Sequence, residues 1–397
     1  MSADPEPIDP DPLDIEAHVR WRLGRFADSP ARWPAALHRG GAELKPPAPP
    51  QAPASLGTWL SALDPAAPPA FLPLNGYDRL VRWDADTQCF VAPESSPRSR
   101  RPIWFGNAFH RLGARAPMVL NHCDAQGWDY PAAWPLLRDL PVFQYCRLPH
   151  QRDQVALVAL DDNYAGPGSD AVPGPGFDTL AFAEKAPKLV FRGRCSGTRQ
   201  GLPGIDWAEG HLRRILAEPE ADYTEPLAAM MRFPRPRAVA ALAGADWADA
   251  GLVLHPQDRR ILARRRLPDP VRHLIRAPMK RAQMLRHRYI LCIDGNDVPS
   301  GLYWAMQSNS VAFRISTGWE TLLDIGLRPW VHYVPVKPDG SDLEAAFARC
   351  EADPALCAEI IENAHRALSW AADPAFRERA DRATLARYAD NLVHEAA

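Results

Sequence analysis

The sequence predicts an α/β protein with parallel sheets, and two observations support this fold class. Between residues 288 and 349, short apolar runs with β-branched and aromatic members alternate with segments of helical spacing. This alternation is typical of a parallel sheet covered by helices on both faces. The length of 397 residues exceeds what one hydrophobic core usually supports, so we expect two lobes.

The alternation begins with a strand at Arg288–Ile293, which is closed by the turn sequence Asp294–Asp297. Ser300 is expected to cap the helix that follows, from about residue 301 to 308. Val311–Ile315 is predicted to be the next strand. A further helix is expected to start at Ser341, because a glutamate follows three residues later at the capping-box spacing.

Two loops are candidates for binding an anion. Ligands of parallel sheets lie beyond the carboxyl ends of the strands, where the Asp294–Ser300 loop would be. Its glycine and the free amides of the following helix suit a diphosphate. A second, basic loop follows a predicted strand at Lys188–Phe191 and carries Arg192 and Arg199. Taken alone, either loop is also explained as an ordinary solvated turn.

A carboxylate lies at the end of another predicted strand. Pro117–Leu120 is predicted to be buried, and Asn121–Asp124 follows it at the edge where a parallel sheet presents functional side chains. Asp129 is a competing carboxylate shortly downstream. Asp84 and Asp86 mimic a metal-binding Asp-x-Asp pair, but their polar turn predicts surface residues.

The residues around the Asp294–Ser300 loop resemble glycosyltransferase family 90. Bacterial members carry a Gly-Asn-Asp-Val-x-Ser-x-Leu-x-Trp run followed by Ser-Asn-Ser, which is matched here by Gly295–Ser300, Leu302, Trp304 and Ser308–Ser310. Further matches follow downstream at Glu320, Leu327, Pro329–Trp330, His332–Tyr333 and Ser341–Leu343. Eukaryotic relatives have an arginine close to Gly301 that contacts the sugar-nucleotide donor. This chain has glycine there, so another cation must contact the donor in its place.

The resemblance implies two Rossmann-like lobes facing a cleft, the GT-B arrangement, and it implies roles for individual residues. Asp124 would be the general base, with Asp129 as the competing candidate. The family's Phe-Arg-Gly motif resembles Phe191–Gly193, and Glu320 is a candidate for contacting the ribose hydroxyls. The implied donor-binding residues are Arg101, Arg192, Gly193, Ser196, Arg199, Gly295, Asn296, Asp297, Val298, Ser300 and Glu320.

The activity that the resemblance implies is a metal-independent, inverting transfer from a nucleotide sugar, preferentially UDP-linked, with no cofactor. The expected acceptor is a hydroxyl of a bacterial lipopolysaccharide or surface polysaccharide, and a protein hydroxyl is the alternative. A different class of function is a nucleotide-sugar-binding or membrane-docking protein without turnover, which Gly301 motivates. Nucleic acid is not an expected partner.

Charge is distributed unevenly along the chain, although its formal net charge is only −2. Residues 259–288 hold eleven Lys or Arg residues against one aspartate. This basic run suits a diphosphate, an anionic glycolipid or a membrane surface, or is a solvated helix face. The seven cysteines lack zinc or disulfide spacing, which favours reduced thiols. Without an apolar span or a secretory signal, we expect a cytoplasmic protein, with peripheral membrane contact as an option.

Proline and glycine clusters suggest the domain boundaries. Residues 1–54 are predicted to be an N-terminal extension, disordered over 1–13, helical at Ile15–Phe26 and proline-rich at Lys45–Pro53. An acceptor-side lobe with the base is expected over 55–183, and a nucleotide-sugar-binding lobe over 184–370. Residues 371–397 are expected to form a helix that packs back across the lobes.

Overall fold

The computed structural model describes residues 12–34, 37, 56–59, 71–73, 81–91, 100–121, 127–159, 173–174, 176–197, 206–217, 222–256, 258–259 and 269–394. Several predictions concern segments outside these residues. They are the disorder of residues 1–11, the proline-rich linker, the base Asp124, the donor contact Arg199 and the centre of the basic run at 260–268.

The strands of the described chain are β1 Ala31–Trp33, β2 Leu56–Trp59, β3 Phe71–Pro73, β4 Arg82–Asp84, β5 Cys89–Val91, β6 Met118–Asn121, β7 Val142–Gln144, β8 Cys146–Arg147, β9 Val155–Leu157, β10 Ala186–Arg194, β11 Ala248–Val253, β12 His287–Ile293, β13 Val311–Ile315, β14 Glu320–Thr321, β15 Val334–Val336 and β16 Leu392–His394.

Its α-helices are α1 Ile15–Leu23, α2 Arg100–Leu112, α3 Tyr130–Ala133, α4 Ala208–Ala217, α5 Thr224–Met230, α6 Pro234–Ala241, α7 Asp269–Arg272, α8 Arg281–Met284, α9 Leu302–Met306, α10 Leu343–Ala352, α11 Pro354–Ala367, α12 Ser369–Ala372 and α13 Pro374–Asp390. Short 3-10 helices lie at Gly24–Ala27, Pro135–Leu137, Pro149–Gln151, Phe182–Glu184 and Leu322–Asp324.

The second half of the chain forms a five-stranded sheet in the order β11-β10-β12-β13-β15, and every neighbouring pair is parallel. The chain enters at β10, passes to β11 on one side and then crosses to β12 on the other side. The strand order therefore reverses between β10 and β12, which makes their carboxyl ends a topological switch point. The predicted α/β class is confirmed.

The first half forms a mixed five-stranded sheet in the order β3-β2-β6-β7-β9. Strands β6, β7 and β9 are parallel, whereas β2 runs antiparallel to both β3 and β6. A small antiparallel pairing of β8 with β14 connects this half of the chain to the segment after β13.

Two clusters of buried side chains stabilise these sheets. One covers one face of the second sheet, and the other joins the first sheet to α1, α9 and α13 and includes Val190, Ile290 and Ala312 from the second sheet. Tyr388 of α13 is buried, donates a hydrogen bond to the carbonyl of Pro117 at 2.9 Å and packs against Phe143. Both ends of the described chain therefore pack on the first sheet, where β1 also pairs with β16.

Most predicted elements are present, with corrections at their ends. The predicted helix at residue 15 ends at Leu23 and continues as a 3-10 turn. Neither Ser300 nor Ser341 caps a helix, because the N-cap residues of α9 and α10 are Gly301 and Asp342, without a side-chain capping bond. Residues 192–194, predicted as a loop, continue strand β10 because they pair with β11.

Candidate functional site

A cleft of about 670 Å³ lies at the switch point of the second sheet. It is bordered by the end of β10, the end of β12, the loop after β12 and the start of α9. The polar and glycine residues that line it are Arg192, Gly193, Arg194, Ser196, Glu209, Arg235, Arg281, Asn296, Ser300 and Gly301. Ligands of open α/β sheets bind at this position.

The charges lining the cleft are mostly positive. Among the described residues, four arginines and one glutamate, Glu209, contribute to its wall. Glu209 accepts a bond from Arg213 on its own helix at 3.1 Å. Arginine side chains and backbone amides in a recessed site favour an anionic ligand, particularly a phosphate. The cleft is therefore suited electrostatically to a diphosphate.

Arg192 lines this cleft, but its guanidinium is held by the protein. It forms an ion pair with Asp249 at 2.7 Å and donates to the carbonyls of Ala277, Phe191 and Asp249. Its side chain is 9% exposed. These bonds fix the edge of the cleft between β10 and β11.

Arg235 is a cleft arginine that belongs to none of the predicted motifs. It lies at the start of α6, and its guanidinium donates to the carbonyl of Ile293 at 3.0 Å and to the hydroxyl of Ser196. A third bond reaches the carbonyl of Arg194 at 3.3 Å. Arg235 thus connects the ends of β10 and β12 at the switch point, and no local sequence pattern marks it for this role.

Gly295 allows the close approach of these groups. A Cβ atom at this position would lie 2.6 Å from the Ser196 hydroxyl oxygen and 2.9 Å from the guanidinium carbon of Arg235. The neighbouring Asn296 accepts a bond from the Gly197 amide at 3.2 Å. The structure therefore brings Ser196, Gly295 and Asn296, all predicted donor-binding residues, together around Arg235.

Asp294 directly follows β12, at the start of this loop, and is fully buried. One of its oxygens accepts bonds from the Thr317 amide at 2.6 Å and from the hydroxyls of Thr317 and Ser316. Burial raises the pKa of its carboxyl group, and the positive charge of Arg314 partly offsets that rise. Its hydrogen bonds tie the loop after β12 to the loop after β13.

Four predicted donor-binding residues are not part of the cleft lining and make contacts with or within the first half of the chain. Asp297 accepts a hydrogen bond from the hydroxyl of Tyr145, and Arg101 lies over the Tyr145 ring at 5.7 Å. Glu320 is bound by Arg147 at 2.7 Å and by Arg152 at 2.7 Å. Val298 is buried and belongs to the cluster around the first sheet.

The predicted base lies outside the described residues, whereas the strand that precedes it in the sequence is described. Asn121, the last residue of β6, is buried and donates to the Tyr130 hydroxyl at 2.9 Å and to Gln144 at 3.1 Å. This network fixes the carboxyl ends of β6 and β7 just before Asp124. The competing Asp129 is the N-cap of α3, and its carboxylate accepts bonds from the Ala132 amide and from Gln154.

The Asp84 side chain caps its own turn. Its carboxylate accepts bonds from the amides of Asp86 and Thr87, and the Thr87 bond is the main reason that its pKa is lowered. Within the described ranges, no three His, Cys, Asp or Glu side chains converge in the manner of a metal site. No described helix is long and apolar enough to cross a membrane. Of the six cysteines described, all except Cys89 are buried.

The fold and cleft define an α/β protein with an arginine-lined cleft at the switch point of a parallel sheet. Residues 269–369 match the family model described as Glycosyl transferase family 90. This segment of the chain is similar to family 90, in agreement with the resemblance predicted from its sequence. The match covers β12, its following loop, α9 and β13, whereas Arg192, Ser196 and Arg235 lie upstream of it.

Two relatives illustrate how far the similarity extends. O-glucosyltransferase LpsA of Dichelobacter nodosus is 39% identical over 93 residues, which are 23% of this chain and 29% of LpsA. Uncharacterized protein 035R of Invertebrate iridescent virus 3 is 30% identical over 102 residues, which are 25% of this chain and 9% of the viral protein. The similar region is therefore less than a third of either relative.

Proposed function

We propose that this protein is a glycosyltransferase that binds the diphosphate of a nucleotide sugar in the cleft at the switch point. The observation that carries the proposal is the convergence of Arg235, Ser196 and the Gly295–Asn296 turn at the ends of β10 and β12. The similarity of residues 269–369 to family 90 supports sugar transfer as the reaction. The family arginine near Gly301 is absent from this chain. Arg235 and Arg281, which both line the cleft, are the candidates for the cation that replaces it.

The proposed chemistry follows from the charge that develops during transfer. As the bond between the sugar and the diphosphate breaks, negative charge grows on the leaving group, and preorganised arginines and amides stabilise it. Arg235 is in position for this task, and Arg199 is proposed to join it. We propose that Asp124 accepts the proton of the acceptor hydroxyl while its oxygen attacks the anomeric carbon, which inverts the configuration.

The proposed arrangement is GT-B, with a lobe on each side of the cleft. The acceptor-side lobe would comprise residues 55–183, the donor-side lobe 184–370 and the closing helix 371–397. Separate sheets in the two halves and the packing of α13 on the first sheet support this division. The Asn121 network supports the base assignment, because it fixes the strand end from which Asp124 follows.

We propose UDP as the nucleotide and a hydroxyl of a bacterial lipopolysaccharide or surface polysaccharide as the acceptor. The name of the relative O-glucosyltransferase LpsA supports transfer to an oxygen. The basic run at 259–288 is proposed to face an anionic acceptor or the surface of a membrane.

The test is slow hydrolysis of a panel of UDP-, GDP- and dTDP-sugars by the full chain, with release of the nucleoside diphosphate as the readout. We expect release from one UDP-sugar above the others, at the same rate with and without EDTA. A requirement for manganese would contradict the metal-independent mechanism. Binding of UDP without release from any sugar would instead support a binding protein that lacks turnover.

A further inference from the structure

The segment Tyr145–Arg147 connects the first sheet to two loops of the second sheet. It follows β7 directly and includes β8, so its position is fixed by the parallel core of the first sheet. All three of its side chains are buried, at 3% exposure or less. Two of them, Tyr145 and Arg147, bind carboxylates that lie more than a hundred positions away in the sequence.

The first contact holds the loop after β12. The Tyr145 hydroxyl donates to the carboxylate of Asp297, and the Arg101 guanidinium lies over the tyrosine ring at 5.7 Å. The backbone of Asp297 accepts a bond from the Gly295 amide at 2.8 Å. The same residue therefore shapes the turn that contacts Arg235 and Ser196, and it connects that turn to the first sheet.

The second contact holds the segment after β13. Arg147 and Glu320 are 2% and 9% exposed, and their side chains meet at 2.7 Å beside the pairing of β8 with β14. Arg147 also donates to the carbonyls of Trp21, Arg22 and Val155, which lie in α1 and β9. Removing either partner of this buried pair would leave an unpaired charge in the interior, so the contact constrains the segment after β13.

We propose that Tyr145 and Asp297 are positioning residues, which set the diphosphate loop against the acceptor side of the cleft. The inference rests on the proposed function, in which the first sheet carries the base and the second carries the donor. Asp297 would then act on the reaction through Tyr145 and would not touch the nucleotide. The chemical step depends on the relative position of the two sides, whereas UDP binding depends on the second sheet alone.

The test compares Tyr145→Phe with Tyr388→Phe in the full chain. Each change removes one buried hydroxyl, but Tyr388 bonds the carbonyl of Pro117 away from the cleft. We expect Tyr145→Phe to lower kcat roughly tenfold or more, as for a lost hydrogen bond to a charged group, while the Kd of UDP changes less than about twofold. Tyr388→Phe should leave both constants unchanged.

A second pair of variants keeps the test valid if Tyr145→Phe folds poorly. Asp297→Asn retains an oxygen that accepts the tyrosine hydrogen bond, so its kcat should stay closer to wild type than that of Asp297→Ala. In a double-mutant cycle, adding Tyr145→Phe to Asp297→Ala should cause no further loss. Additive losses, an unchanged kcat in Tyr145→Phe, or an equal rise in the Kd of UDP would overturn the proposal.

The exchange rates of backbone amides test the positioning role of Tyr145 without depending on turnover. The Gly295 and Leu302 amides are bonded within the loop and at the start of α9. They should exchange roughly tenfold faster in Tyr145→Phe than in wild type or Tyr388→Phe. If wild type releases no nucleotide from any sugar, the proposed function fails, and unchanged exchange in Tyr145→Phe independently overturns the positioning role.

Discussion

The two five-stranded sheets differ in what their carboxyl ends present. The end of the second sheet gathers arginines, a serine hydroxyl and a glycine turn around a cleft. At the end of the first sheet, the buried side chains of Asn121, Tyr130 and Gln144 are neutral and bond each other, and Arg147 after β7 is paired with Glu320. One sheet therefore presents charge to a ligand, and the other uses hydrogen bonds to fix a strand end.

This difference suggests that the second sheet binds the diphosphate and that the first sheet holds the general base. Stabilising a diphosphate requires cationic side chains that are accessible from the cleft, so that they can donate hydrogen bonds to the phosphate oxygens. Holding a general base requires a rigid strand end and few competing charges, because a nearby arginine would lower the basicity of the carboxylate. The predictions below test whether the two sheets are specialised in this way.

The largest expected effect is that of Asp124→Asn on the first-sheet side. Removing a general base typically costs on the order of a hundredfold in turnover, and UDP affinity should be retained. Steady-state kinetics and calorimetric titration with UDP measure the two quantities. Asp129→Asn is the matched control, since Asp129 caps α3. If Asp129→Asn loses the turnover instead, the base is Asp129.

On the second-sheet side, Arg235→Ala should weaken UDP binding by roughly 1.5–3 kcal/mol, because a hydrogen bond to a charged group is lost. Arg237→Ala is the control on the same helix, since Arg237 does not line the cleft and bonds the carbonyl of Pro338. Equal UDP affinity in both variants, measured by titration, would show that the diphosphate does not bind at the switch point.

The stability of the terminal segments packed on the first sheet should depend on pH. His18 lies against Trp370 and Phe376, and burial lowers its pKa to about 4. The folded state therefore binds fewer protons than the unfolded state between about pH 4 and 6.5. Stability should fall as pH decreases through this window, by about 2 kcal/mol between pH 7 and 5.

The measurement for His18 is the free energy of unfolding by urea at several pH values. His18→Gln removes the titrating ring, so its stability should depend less on pH in this window. A difference between wild type and variant that is independent of pH would contradict the assignment, whatever its size.

The smallest expected effect concerns the shape of the donor turn. Gly295→Ala places a methyl group against Ser196 and Arg235, and we expect UDP affinity to fall by on the order of 1 kcal/mol, as in mild overpacking. Gly301→Ala is the matched control on the same cleft wall, because its nearest contact is an ordinary 3.4 Å to Trp304. If both variants bind UDP like wild type, the Gly295 turn does not contact the diphosphate.

The sequence predicted the regular elements of the second sheet well. Strands β12 and β13 and helices α9 and α10 are confirmed within a few residues, because each is defined by local apolar spacing. The predictions were wrong at the helix N-termini and at the end of β10, where a backbone amide or carbonyl can bond more than one partner. Gly301 and Asp342 replace the predicted serine caps, and residues 192–194 pair with β11 instead of forming a loop.

Local residue patterns predicted the α/β class, the similarity to family 90 and the loop after β12, since all three depend on residues close together in the chain. Only the tertiary structure brought Arg235 to the ends of β10 and β12, and paired Asp297 with Tyr145 and Glu320 with Arg147. Those contacts join positions separated by 58, 152 and 173 residues. The order of the strands decides which of these distant side chains meet, and local periodicity carries no information about that order.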